Sequence, residues 1–457
     1  MKNSTRNLFL ILAWFSLVIM ACNLSSEAPP TMVYGPIAAP TQPTLGYAPP
    51  LPGAVPEATA AAIQAKIDIE MFNLVNQVES DRMMVHITTL VGFYSRHVNS
   101  STTSLDYGVG AAYNYIMQQL QTIESQAPEN FVSFTQEFLV NFNDRVSTQR
   151  NAVAIIRGTE PGAGVIVIGA HYDSRADDLD DAASAAPGAV DNGSGVAALL
   201  ELARILSQRP HRTTIMFVFF AAEEEGRQGS VAFVHDYLLD NPNMQVNMMI
   251  NIDTIGSWNN AKGEVNNTDI RIFSASPNTS KSRQLARTIN TLGYIHSLNL
   301  NIVVQDRIDR AGRYGDHNSF EEVGYPSVRF IQALEDSSRK DSYDTLDGVE
   351  LSYLADATKT ILGVVTSLAD GIQPPLNIVL RDSDNGAQTL VWEPVAGASR
   401  YFVALRRPGS LIFDQHFITV DPTSGATGIW SEYEAVAIAV EDENGLVGPF
   451  STEYRIP

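Results

Sequence analysis

Through the middle of the chain, short continuous apolar runs alternate with longer stretches in which apolar residues recur every three or four positions. The runs are "NAVAIIRG", "GVIVIGA", "TTIMFVFFAA", "MMINIDTIG" and "PSVRFIQ". Rich in Val, Ile and Phe and polar mainly at their ends, they have the pattern of strands buried on both faces. Between and after them, "GVAALLELARIL", "SVAFVHDYLL", "SKSRQLARTINTL" and "LSYLADATKTILGVVTSLA" have helical spacing, as do "ATAAAIQAKIDIEMFNLVNQV" and "AAYNYIMQQLQTI" upstream. Strands alternating with amphipathic helices predict an α/β domain over residues 58–372, with a mostly parallel central sheet flanked by helices.

After "QPPLN" the pattern changes. "TLVWEPV", "RYFVALRR" and "YEAVAIAVEDENGLVGPFS" read as short strands and turns without helical spacing, which predicts a small all-β sandwich over residues 375–457. Trp392 and Tyr433 sit in it where a fibronectin type III domain has its core tryptophan and tyrosine corner, and the segment resembles that family.

At the other end, Lys2 and Arg6 precede an apolar run, Leu8 to Ala21, that is short for a bilayer span. It closes in "VIMAC", the pattern of a secretory signal over residues 1–21. Cys22 follows directly and resembles the cysteine of a bacterial lipoprotein box, which implies that it is lipidated and becomes the mature N-terminus. Residues 22–57, rich in Pro, Ala, Ser and Thr, read as an extended tether. The expected location is outside the cell, lipid-anchored to the outer face of a bacterial membrane, with no other membrane contact.

Composition narrows the partners. The formal net charge of -21 over 457 residues argues against nucleic acid and anionic membrane surfaces, both of which need a basic face. Cys22 is the single cysteine, so no internal disulfide framework exists.

The candidate chemistry lies at three strand ends. "VIVIGAHYD" ends on His171 and Asp173, "MFVFFAAEEEG" on Glu223, Glu224 and Glu225, and "MMINIDTIG" on Asp253. Ligands of open α/β sheets bind outside the carboxyl ends of the strands. Asp191 arrives there from a long loop, between a Pro-Gly turn and a Gly-Ser-Gly. Crowded carboxylates repel one another unless a cation neutralises them. Imidazole and carboxylate ligands without thiolate suit zinc, with manganese or cobalt as substitutes.

These segments, with "GDHNSF" and "VGYPSV" in the same order, resemble the co-catalytic zinc exopeptidases: bacterial leucyl aminopeptidases, aminopeptidase Y and glutamate carboxypeptidase II. The resemblance covers roughly residues 80–370 and implies that family's fold, two zinc ions and peptide substrates. Position by position, it implies that His171 and Asp253 bind one metal, Asp191 bridges two, and Glu224 binds the second. Asp173 would fix the His171 ring, Glu223 would be the general base, and Asn192 would follow a cis peptide bond. The departure is the family's last ligand, a histidine four residues before an Asp-Thr. In "SSRKDSYDTLDGVE" that count from Asp344 lands on Lys340, and Asp341 is the candidate replacement. His317 matches a position beside the site.

Other residues take ordinary readings. Glu225 is expected to be a solvated neighbour, "RADDLDD" (175–181) a solvated insertion at the cleft mouth, and Ser194 a helix cap. His86, His97, His211, His235, His296 and His416 are expected to be structural. The expected activity is removal of N-terminal residues from short peptides. Carboxypeptidase and glutaminyl-cyclase activities are the alternatives within the family, and a non-catalytic peptide-binding lipoprotein is the alternative outside it.

Overall fold

The computed structural model describes residues 69–127, 130–306, 315–382, 388–419, 425–428 and 430–457. Helices α1 (Ile69–Val75), α2 (Ser80–Gly92) and α3 (Gly108–Gln126) precede strands β1 (Phe131–Phe142), β2 (Arg145–Ile156) and β3 (Val165–His171). Then come α4 (Gly193–Leu206), β4 (Thr214–Phe220), α5 (Gln228–Ala232) running into a π-helical turn Phe233–Leu238, β5 (Val246–Ile252) and β6 (Asp269–Phe273). The α/β part closes with α6 (Lys281–Ile295), β7 (Asn301–Val304), α7 (His317–Glu321), β8 (Ser327–Gln332) and α8 (Leu351–Asp370). The signal segment, Cys22 and the tether lie outside the described residues. Among the described residues, no helix is long and apolar enough to cross a membrane.

The eight-stranded sheet has the order β1-β2-β4-β3-β5-β8-β6-β7. Its centre is parallel, through the pairs β4/β3, β3/β5 and β5/β8. The pairs β1/β2, β2/β4 and β8/β6 are antiparallel, so the sheet as a whole is mixed. The β1/β2 hairpin turns on Asn143 and Asp144, both at positive φ (53° and 59°), a backbone that Asn and Asp tolerate best after Gly. Its strands alternate buried and exposed positions, unlike the wholly buried β3.

Parallel pairing at the centre sets the functional geometry. Strands β3, β4 and β5 run in one direction, so His171, the Glu223–Glu225 segment and Asp253 all emerge at one sheet edge. Helix α4 starts at the same edge. Its N-cap is Asn192, whose Oδ1 accepts the Gly195 N–H at 3.0 Å, while Nδ2 donates to Ile252 O at 2.8 Å. Residue 195 must be glycine, because a Cβ there would lie 2.5 Å from Ile252 O. Ser194 is therefore not the cap. Its hydroxyl donates to Val190 O at 2.7 Å and accepts the Ile255 N–H at 3.1 Å, tying the Asp191 loop to the Asp253 loop.

The C-terminal strands are β9 (Val379–Asp382), β10 (Gln388–Val391), β11 (Arg400–Arg406), β12 (Gln415–Ile418), β13 (Gly425–Gly428), β14 (Ala435–Glu441) and β15 (Tyr454–Arg455). They form two antiparallel sheets, β13-β10-β9 and β12-β11-β14-β15. Trp392, Tyr401, Trp430 and Ile438 belong to one apolar cluster with Leu390 of the smaller sheet. Tyr433 is bonded through its hydroxyl to the Gln415 side chain. Alternate residues of β11 and β14, Phe402, Ala404, Ala437 and Ala439, join the core of the α/β part with Phe413 and Phe450. Arg287 of α6 is fully buried there, donating to Leu411 O at 3.1 Å, Asn278 O at 2.6 Å and Glu453 Oε1 at 2.7 Å. The β unit is thus docked on α6 through apolar and charged contacts.

Candidate metal centre

His171 ends β3 with its side chain buried, 1 % exposed. Its Nε2 faces Asp191 Oδ1 at 3.3 Å and Asp253 Oδ1 at 3.5 Å. The donor atoms of these three residues lie within 4.8 Å of one another, the one such group among the described residues. Tetrahedral zinc with bonds of about 2.0–2.1 Å sets its donors roughly 3.3 Å apart, so His171 stands at zinc-compatible distances from both carboxylates. Asp253 Oδ1 is buried without a hydrogen-bond partner, as a metal ligand would be. This set fits one zinc ion.

The surrounding groups hold these donors in place. Asp173 is fully buried, and its Oδ1 lies 3.6 Å from His171 Nδ1, leaving Nε2 to face the cluster. The same carboxylate accepts the Glu223 N–H and the Glu224 N–H, each at 3.0 Å. One side chain therefore stands against the imidazole and holds the loop carrying both glutamates. Asp344 serves Asp191 likewise: Oδ1 accepts the Val190 N–H at 2.9 Å and Oδ2 the Asp191 N–H at 2.7 Å. Arg329 Nε donates to Asp253 O at 2.5 Å and lies 3.3 Å from its Oδ2. The Asp191–Asn192 peptide bond is cis, as the resemblance implied, and so is Asp253–Thr254.

The electrostatics of the site follow from the crowding of these groups. Burial alone would depress the His171 pKa, but Asp173, Asp191 and Asp253 overcome it and raise it well above the ordinary value. Burial raises Glu223, against His171 and with help from Asp253, Asp316 and Glu224. Asp253 is held low because Arg329 and His171 outweigh its burial. A divalent ion would reverse the local balance by favouring neutral imidazole and ionised carboxylates.

The second set of expected ligands is arranged differently. Asp191, Glu224 and Asp341 line one pocket with Arg175, Arg339 and Lys340. Arg175 Nη1 lies 3.2 Å from Glu224 Oε2, and its Nε donates to Asp341 Oδ1 at 2.6 Å. Asp341, at φ +55°, stands in a 3-10 turn, Asp341–Tyr343, rather than in a cluster of donors. Two of the residues expected to hold a second ion, Glu224 and Asp341, hold a guanidinium.

Two ordinary readings need correction. The Glu225 side chain is 4 % exposed rather than solvated, 3.8 Å from His97, and burial pushes its pKa up to about 9. The "RADDLDD" loop is partly engaged: Arg175 enters the pocket, and Asp177 accepts the Ser342 N–H and hydroxyl at 3.2 and 2.7 Å. His317 is buried near Arg329, with its pKa lowered to about 3 by burial and by that cation, and stands outside the donor group. Sequence reasoning passed over Arg96, which is fully buried and donates to Tyr172 O at 2.7 Å, Pro187 O at 2.5 Å and Gly188 O at 2.9 Å. Nothing in "YSRHV" distinguishes it from a surface arginine.

A buried imidazole and carboxylates at the carboxyl edge of a helix-flanked mixed sheet form a candidate metal site. Comparison with known proteins narrows this. The profile of Peptidase family M28 matches residues 151–365. A protein of Leptosphaeria maculans called "Probable zinc metalloprotease" is 30% identical over 371 residues, spanning 72% of this chain and 84% of that one. One of Pyrenophora tritici-repentis with the same name is 31% identical over 368 residues, spanning 72% and 83%. The chain belongs to Peptidase family M28. Its fold is that of the Legionella pneumophila LapA aminopeptidase, at a TM-score of 0.53 and 22% identity over 66% of this chain and 74% of that one.

Proposed function

We propose that this protein is a zinc-dependent exopeptidase acting on short peptides, and an aminopeptidase by preference. The observation that carries this is the His171–Asp191–Asp253 donor set beside a glutamate loop braced by Asp173. Zinc held by those three residues would supply Lewis acidity, drawing charge from a peptide carbonyl and acidifying a nearby water. Glu223 then takes the proton of the attacking water and delivers it to the leaving amine. Its position in the field of His171 and Asp253 supports this role. Asp173 keeps the His171 ring and the Glu223 backbone in register throughout, and Asp344 does so for Asp191.

The preference for a free N-terminus is supported by the likeness in fold to the LapA aminopeptidase. Arg339 and Lys340 in the pocket lining favour the rival substrate end, a C-terminal carboxylate. A panel of peptides with free, N-acetylated and C-amidated ends separates the two. Acetylation is expected to abolish cleavage. Cleavage indifferent to acetylation but lost on amidation would replace the aminopeptidase reading with a carboxypeptidase. The segment from Lys2 to Cys22 supports a lipid-anchored, outward-facing location for this activity.

A further inference from the structure

We infer that Arg175 takes the place of a second metal ion, so that this chain works with one catalytic zinc, a reading that rests on the zinc exopeptidase function proposed above. A second zinc would need oxygens of Asp191, Glu224 and Asp341 converging at bonding distance. Two of these carboxylates are instead joined by one guanidinium, through Nη1 to Glu224 at 3.2 Å and through Nε to Asp341 at 2.6 Å. Arginine presents its donors as a rigid fork and stays charged, so it competes for the carboxylate oxygens a metal would use. Lys340 adds a second cation at the sequence position where the resemblance expects a histidine, and it lines the same pocket. Together Arg175 and Lys340 carry the charge of one divalent ion. A zinc ion entering among them would face repulsion and a depleted donor set.

The arrangement is anchored on both sides. Arg175 lies two residues beyond the buried Asp173, so its backbone is tied to the first metal site. The 341–344 turn is latched to the same loop by Asp177, whose carboxylate accepts the Ser342 N–H and hydroxyl. The guanidinium, 23 % exposed, lines the pocket, where its charge can act on a peptide carbonyl or on developing negative charge. Arg175 thus supplies fixed positive charge where a two-metal centre has an ion.

Zinc content measured by elemental analysis and by titration of the full chain tests this directly. Wild type is expected to hold one zinc per chain, and Arg175→Lys likewise. Arg175→Ala is expected to gain a second, weaker site, which Arg175→Ala combined with Glu224→Gln loses again. Two zinc ions in wild type, with Asp341→Asn dropping one, would overturn the inference while leaving the peptidase reading intact. No second site in Arg175→Ala at millimolar zinc would also overturn it. No zinc at all in wild type would overturn both.

Discussion

The carboxylate of Asp344 accepts the backbone N–H of Asp191 at 2.7 Å, joining residues 153 positions apart in sequence. It also accepts the Val190 N–H, and its own carbonyl accepts the Ala189 N–H at 3.1 Å. The loop that delivers Asp191 is therefore shaped by a residue outside the His171–Asp191–Asp253 donor group. Replacing Asp344 by Ala leaves buried N–H groups bare, at a cost of about 1–3 kcal/mol each, and frees Asp191 to move. Zinc affinity is expected to fall about 10- to 100-fold, as for other partners that orient ligands. A chelator competition titration measures it, and an unchanged affinity would remove Asp344 from the account.

The β unit is expected to be inseparable from the α/β part. Phe402, Ala404, Ala437 and Ala439 face the α/β core, and buried Arg287 bonds to Leu411, Asn278 and Glu453. Truncation after Ile372 should give insoluble or molten protein. Arg287→Ala in the full chain should lower Tm by several degrees while leaving zinc affinity unchanged. Glu453 keeps its bonds to Arg406 in that variant, which limits the loss. A soluble, cooperatively melting truncation would show that the unit is only a spacer.

Stability should fall with acid in a defined window. Burial lowers the pKa of His86, with help from Arg82 and Arg204, and burial lowers that of His296, each to about 4. In the unfolded chain both titrate near 6.5, so between these values the unfolded state binds more protons. Above about 6.5 both are neutral in either state and no proton-linked cost arises, and stability is lost as pH falls toward 4. Each site contributes on the order of 3 kcal/mol at most. Urea titrations at stepped pH should show a flatter profile for His296→Leu than for wild type. Parallel profiles would show that His296 does not carry this effect.

Much of this architecture was legible in the chain, and what was not has identifiable causes. The runs ending in His171, Glu223 and Asp253 are continuous and apolar because β3, β4 and β5 lie at the centre of the sheet. Burial on both faces confines most polar residues to the ends, so the strand ends announce the site. The strands β1, β6 and β7 lie at or next to the sheet edges, where exposed positions interrupt the apolar run and Leu139 puts an apolar residue on the outward face, and they carried no clear signal. His171, Asp191 and Asp253 converge as expected. Asp173 meets both His171 and the glutamate loop, a double role that spacing alone does not reveal. Arg96 and Arg175 look like surface charges in sequence. Their roles come from loops that meet only in three dimensions, through contacts to residues 187 and 188 and to residue 341.

The most direct test of the central claim compares wild type with Glu223→Gln, measuring bound zinc and peptide turnover on the same preparations. Glu223→Gln is expected to keep the zinc content of wild type and lose turnover by about 100- to 10,000-fold, the range for a general base. Turnover in wild type should vanish on chelation and return with zinc. Full turnover in Glu223→Gln, or hydrolysis that survives complete removal of zinc, would contradict the account.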